Sequence, residues 1–138
     1  MSVDFGDINY LAVIVAAMAS LALGTGWYGL FAKPWMEEMG MTPEMASERA
    51  AVGARGYVAV GVSWLIAALA LSMLVQLTRA NGVVDGLWLG LIMGIGLLAA
   101  SQVPHFSFEV KSLRFFMIDK GYPVTALAVA GIILGVWQ

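Results

Sequence analysis

Four long apolar runs, none with an acidic or basic residue at its centre, constrain this chain more than any motif it carries. A bilayer core of about 30 Å is crossed by about 20 apolar residues rising 1.5 Å each. The runs at about 8–31, 57–78, 83–103 and 122–137 fit that length; Asp85 stands at the very start of the third, and the fourth is the shortest. They are rich in Ala, Leu and Met and lack the period-two alternation of a membrane barrel. The expected fold is therefore all-α and polytopic: a single four-helix transmembrane bundle over residues 1–138, with interfacial helical segments in its longer loops. Composition agrees, with 12% charged residues against about 25% in a soluble domain.

The first run needs separating from a cleaved leader. Ala17-Met18-Ala19 has the small-x-small form of a cleavage site, but Asp4 and Asp7 precede the run with no Lys or Arg. That is the wrong charge for a leader, and the run continues well past Ala19. The expectation is a retained helix with Asp7 as its N-cap. Orientation follows from the basic residues. Lys33, Arg49 and Arg55 lie between runs one and two, and Lys111, Arg114 and Lys120 between runs three and four; Arg79 alone is on the other side. Both longer loops should be cytoplasmic and both termini outside. Trp27, Tyr28, Trp35, Trp88 and Trp137 suit the headgroup level.

Helices in lipid associate through close backbone approach, so their interfaces collect small residues. Gly82, Gly86, Gly90 and Gly94 recur every four residues in the third run, and Ala12, Ala16, Ser20 and Gly24 repeat that spacing in the first. Ala59, Ser63 and Ala67, and Gly131 with Gly135, are shorter stripes of the same kind. Such stripes serve packing within one bundle, or contact with a second copy of the chain, or both.

Two loop segments have readable structure. Thr42-Pro43-Glu44 starts a helix, with Thr42 as N-cap and Pro43 at its first position. This helix should feed into the second span, with Gly53 and Gly56 as bends. In 104–121, Pro104 should end the third span. Val110, Leu113 and Met117 recur at helical spacing among Phe106, Phe108, Phe115 and Phe116, the pattern of a helix lying in the interface. Gly121 should stop that helix and Pro123 begin the fourth span.

The residues narrow the chemistry. With no Cys and one His, the chain offers no thiolate chemistry and no multi-His metal site. No cofactor is expected. A net charge of −2 speaks against a nucleic-acid partner. The absence of a central ionisable residue counts against a proton-coupled transporter, and specifically against the small multidrug resistance family, which relies on a membrane-embedded Glu. The groups able to pair, titrate or bind an anion collect at the cytoplasmic edge. The candidate lipid- or ligand-binding residues are Lys33, Trp35, Glu48, Arg55, His105, Glu109, Arg114 and Asp119. Glu48 should pair with Arg49 or Arg55, and Glu109 or Asp119 with Arg114, because an unpaired charge held near lipid is costly. His105 with Glu109 four residues on is the one acid–base pair.

The order of landmarks resembles a known family. Asn9-Tyr10-Leu11-Ala12 is followed by Gly24, Trp27-Tyr28, Phe31, Lys33, Trp35 and Gly40; later come Phe108-Glu109, Leu113, Phe115-Phe116, Ile118-Asp119, Gly121-Tyr122, Gly135 and Trp137. This pattern is similar to the bacterial four-span family known only as domain of unknown function 1761. The resemblance covers nearly the whole chain and implies a multi-pass protein of the bacterial cytoplasmic (inner) membrane. It implies no activity.

Three functions follow from these readings. The first is a small non-catalytic membrane protein that self-associates or binds lipid, with anionic phospholipid at the cytoplasmic face, or a larger membrane partner. The second is a channel or carrier for an uncharged solute, which requires Ser63, Ser72 and Gln76 to line a cavity. The third is an interfacial enzyme using His105, Glu109 and Arg114, although no catalytic arrangement is argued by spacing.

Overall fold

A computed structural model describes residues 2–138. The elements are α1 (Tyr10–Leu30), α2 (Ala32–Met39), α3 (Pro43–Val52), α4 (Ala54–Thr78), α5 (Val83–Leu91), a π-helical stretch (Ile92–Ala99), α6 (Ala100–Ser107) and α7 (Leu113–Val136). No strand occurs among the described residues. α5, the π stretch and α6 form one continuous rod, Val83–Ser107, and this rod with α1, α4 and α7 makes four helices long and apolar enough to cross a membrane.

The four are not equivalent. The most apolar window of α7 is 44% buried and that of the third rod 17%. α7 is the hub: it meets α1 and α4 on one side and α5 with the π stretch on the other, while α4 barely touches the third rod. Ala12, Ala16, Ala68, Leu71, Ala130 and Leu134 pack in the core between α1, α4 and α7.

The glycine row of the third rod lies against α7 of the same chain. A β-carbon on Gly86 would collide with the carbonyl oxygen of Gly131, and one on Gly90 with that of Leu127. At the end of the seam the Gly82 amide donates to the Gly135 carbonyl (2.8 Å). On α1, Ala12, Ala16, Ser20 and Gly24 are all buried. The Tyr122 hydroxyl of α7 crosses to the Ser20 carbonyl (2.8 Å), and its ring fills the space a Gly24 side chain would need.

Helix ends follow local chemistry, with corrections. Thr42 caps α3 by accepting from the Met45 amide (3.3 Å). The cap of α1 is Asn9, whose side-chain oxygen accepts from the Ala12 amide (3.1 Å), and not Asp7. Gly53 separates α3 from α4 with φ +54°, a conformation that costs glycine little; Gly56 makes no bend and lies inside α4.

The two prolines do not mark the ends expected of them. The third rod runs through Pro104 to Ser107, and α7 runs unbroken from Leu113 through Pro123. The second loop therefore shrinks to residues 108–112, and the separate interfacial helix over 104–121 does not form. Transmembrane helices tolerate Pro where wide turns or side-chain donors re-satisfy the backbone. The π stretch precedes Pro104. Near Pro123, the Trp27 indole donates to the Ile118 carbonyl (2.9 Å) and the Thr125 hydroxyl to the Gly121 carbonyl (2.7 Å). The α7 cap is Ser112, accepting from the Phe115 amide (3.2 Å).

Candidate functional site

At 24 residues, α7 is longer than a bilayer core requires. Its first two turns carry Arg114, Asp119 and Lys120, and they rise beside the end of α1 and the short helices that follow it. After Leu30 the chain turns into α2, reverses at Gly40, runs along α3 and breaks again at Gly53. The reversal at Gly40 folds Trp35 of α2 and Arg49 of α3 together, with the guanidinium 4.8 Å from the centre of the indole. Such stacking is characteristic of Arg. Trp35 also meets Tyr28 edge-on (5.8 Å), and Tyr28 meets Tyr122 in turn (5.5 Å).

Between this corner, the end of α6 and the start of α7 lies a cavity of about 290 Å³. Its walls combine Trp35, Phe106, Phe115 and Phe116 with Arg49, His105, Glu109, Lys111, Asp119 and Lys120. Two acid–base contacts form among the described residues, His105 Nε2 to Glu109 Oε1 (3.0 Å) and the ion pair of Lys120 Nζ with Asp119 Oδ2 (2.9 Å). The expected partners are therefore corrected: Arg114 pairs with neither Glu109 nor Asp119, and Glu48 pairs with neither Arg49 nor Arg55. Arg114, Glu48 and Arg55 are exposed, and solvation replaces pairing there.

Two cations of the cavity have no carboxylate partner. Arg49 lies on Trp35, and Lys111 lies 4.4 Å from the Phe115 ring centre with its ammonium near the Met39 sulfur. The Trp35 indole nitrogen is buried and has no hydrogen-bond partner. An orphaned buried donor of this kind costs roughly 1–3 kcal/mol. The arrangement offers two positive charges, backed by aromatic rings, to an oxyanion.

Of the residues singled out in the sequence, Trp35, His105, Glu109 and Asp119 line this cavity, while Lys33, Glu48, Arg55 and Arg114 do not. Arg49, Lys111, Lys120 and Gln102 were not among them and do line it. For Lys111 a local signal exists, the four-residue step to Phe115. Arg49 has none, since only the turn at Gly40 brings it to Trp35.

A second polar cavity of about 500 Å³ opens at the opposite end, where Asp4, Asp7, Ser72, Gln76 and Arg79 meet. Gln76 clasps the Asp4 backbone in both directions, accepting at 3.2 Å and donating at 3.0 Å. Ser63 lies outside it and turns its hydroxyl back to the Ala59 carbonyl (2.9 Å). Ala12, Ala16, Leu71 and Ala130 pack in the core between the two ends.

No cluster of three or more His, Asp or Glu suited to a metal ion occurs among the described residues. A family model, described as protein of unknown function (DUF1761), matches residues 11–135. No curated protein and no solved structure matches the chain.

Proposed function

The chain belongs to the DUF1761 family of proteins of unknown function, and from that premise we propose that it is a non-catalytic membrane protein binding the phosphate of an anionic phospholipid at its cytoplasmic edge. One observation carries this reading. Arg49 and Lys111 line a single aromatic-walled cavity with Trp35, and neither cation has a carboxylate partner in the protein; the Lys111 ammonium meets only the weak acceptor sulfur of Met39. A phosphodiester supplies what they lack: two charge-bearing oxygens and further lone pairs. Hydrogen bonds to ionised groups are about twice as strong as neutral ones.

The surroundings favour a lipid source. The cavity lies at the loop end of four apolar helices, beside the end of α1, the end of a spanning helix being where headgroups are met. Six of the seven basic residues are at that end, and this bias supports reading it as the cytoplasmic side, with both termini outside. Anionic lipids of that leaflet attract each nearby Lys or Arg by about 1 kcal/mol.

The test is lipid retention. Protein extracted from membranes holding phosphatidylglycerol and phosphatidylcholine is analysed by native mass spectrometry, beside the double variant Arg49→Gln, Lys111→Gln. Wild type should retain phosphatidylglycerol preferentially, and the double variant should lose about thirtyfold of that preference, the change expected from two cations each contributing about 1 kcal/mol. Inorganic phosphate is added in a separate arm. Displacement of the lipid by millimolar phosphate would identify a free-anion site. An unchanged lipid ratio in a folded double variant defeats the proposal.

A further inference from the structure

The headgroup cavity has an apolar continuation. Trp35 and Arg49, which wall it, also wall a second cavity of about 390 Å³ with Tyr28, Ala32 and Met36. Tyr28 in turn is shared with a third, of about 510 Å³, which runs between α1 and α4 past Leu21, Gly24, Thr25, Gly29, Tyr57 and Val60. The three hollows therefore follow one another from the loop end into the membrane-spanning part of the bundle. Their character changes along the way, from Arg, Lys and carboxylate walls to aliphatic and aromatic ones. Of the hydroxyls on the wall of the third hollow, that of Thr25 donates to the Leu21 carbonyl (3.2 Å) and that of Tyr122 to the Ser20 carbonyl (2.8 Å).

We infer that this groove between α1 and α4 holds one acyl chain of the lipid whose phosphate sits at Arg49 and Lys111. The inference rests on the headgroup reading and specifies its occupant as a phospholipid clamped at two points. The groove exists because of what α1 lacks. Gly29 has open space where a side chain would stand, and Gly24 carries no side chain because the Tyr122 ring occupies that position from the other side. Between Tyr28 and Leu21 the groove follows α1 for about 10 Å, a third of the roughly 30 Å hydrocarbon core. It therefore takes the portion of a chain nearest its headgroup and leaves the rest in bulk lipid. The Trp35–Tyr28–Tyr122 run of edge-on rings continues to Trp64 of α4 (5.6 Å), so the wall is rigid and braced across the bundle. A groove open to a bilayer is always wetted by lipid. What distinguishes this one is that it follows the cavity proposed for the headgroup, across the Trp35, Arg49 and Tyr28 side chains that the successive hollows share.

The test uses phosphatidylglycerol carrying a photoactivatable diazirine near the glycerol end of one chain, in nanodiscs of otherwise unlabelled phosphatidylcholine. After illumination, adducts are mapped by peptide mass spectrometry. They should concentrate between Leu21 and Gly29 and at Tyr57 to Val60. Gly29→Leu fills the groove and should lower that yield by about tenfold, the discrimination a hydrophobic pocket draws from a single methylene. Gly26→Leu is the matched control: Gly26 also has open space for a side chain but does not line the groove, and its yield should stay at the wild-type level. Val60→Trp narrows the opposite wall and repeats the test from α4. Adducts spread evenly over other exposed positions such as Ile66, Ile92 and Ile95 would overturn the inference, while headgroup-dependent retention would still stand. Adducts confined to the groove but unaffected by Arg49→Gln, Lys111→Gln, or equal for a phosphatidylcholine probe, would overturn the headgroup reading and with it the link between the two sites.

Discussion

Substituting Gly90 by Ala tests the packing on which the third rod depends. An ideal β-carbon there would lie 2.8 Å from both the Ala128 Cα and the Leu127 carbonyl carbon, and closer still to the Leu127 carbonyl oxygen. All three are backbone atoms of α7, so no side-chain rotation relieves the contact. The helices must separate along the seam, and the neighbouring contacts at Gly86 and Gly131 loosen with it. Overpacking of this kind costs about 1–3 kcal/mol, and helices in lipid have no hydrophobic effect to hold them once close contact is lost. Gly96 on the same rod is the control, because a β-carbon there meets nothing within 4 Å. Gly96→Ala should be neutral or stabilising by up to about 1 kcal/mol, the helix-propensity difference. The two variants are therefore expected to differ by about 1–4 kcal/mol for the same added methyl group. Unfolding in mixed micelles of rising dodecyl sulfate content, followed by tryptophan fluorescence, measures the gap. Equal stability of Gly90→Ala and Gly96→Ala would refute the close backbone seam.

Other features of the structure give direct expectations. Tyr122→Phe removes the buried hydroxyl that reaches the Ser20 carbonyl while keeping the ring that packs on Gly24; it should cost about 0.5–1.5 kcal/mol in the same titration, and an unchanged midpoint would show that bond to be without weight. A reporter active only outside the cytoplasm, fused after Gln138, should be active, whereas a cytoplasmic reporter at the same position should be silent; the reverse pattern would overturn the orientation drawn from the basic residues.

Most of the architecture was legible because membrane spans are written in local composition. A run of 20 apolar residues has few other uses, and Thr42 before Pro43 is a local capping signal that the structure keeps. His105 and Glu109 are likewise neighbours within one turn and do meet. The errors have two physical sources. Pro104 and Pro123 were read by rules suited to helices in water, where a lost amide donor ends the helix. Inside a bundle the helix continues past a proline, as α6 does at Pro104 and α7 at Pro123. The other source is tertiary. Arg49 and Arg55 are alike in sequence and both exposed, and only the turn at Gly40 between α2 and α3 decides that Arg49 lies on Trp35. Lys120 takes Asp119 from Arg114 for a local reason: Asp119 and Lys120 are adjacent on α7 and meet, while Arg114, five residues earlier, is exposed.

The central position of α7 also sets an order of assembly. A ribosome delivers α1, α4 and the third rod to the membrane before it delivers the helix that all three pack against. α1 and α4 already have a mutual interface at that stage, so they can wait as a pair. The third rod has almost none, and its glycine face stands open to lipid until α7 arrives. Maturation of this protein is therefore completed from its last helix, and a chain interrupted before Leu113 leaves inserted helices with no common partner to gather them.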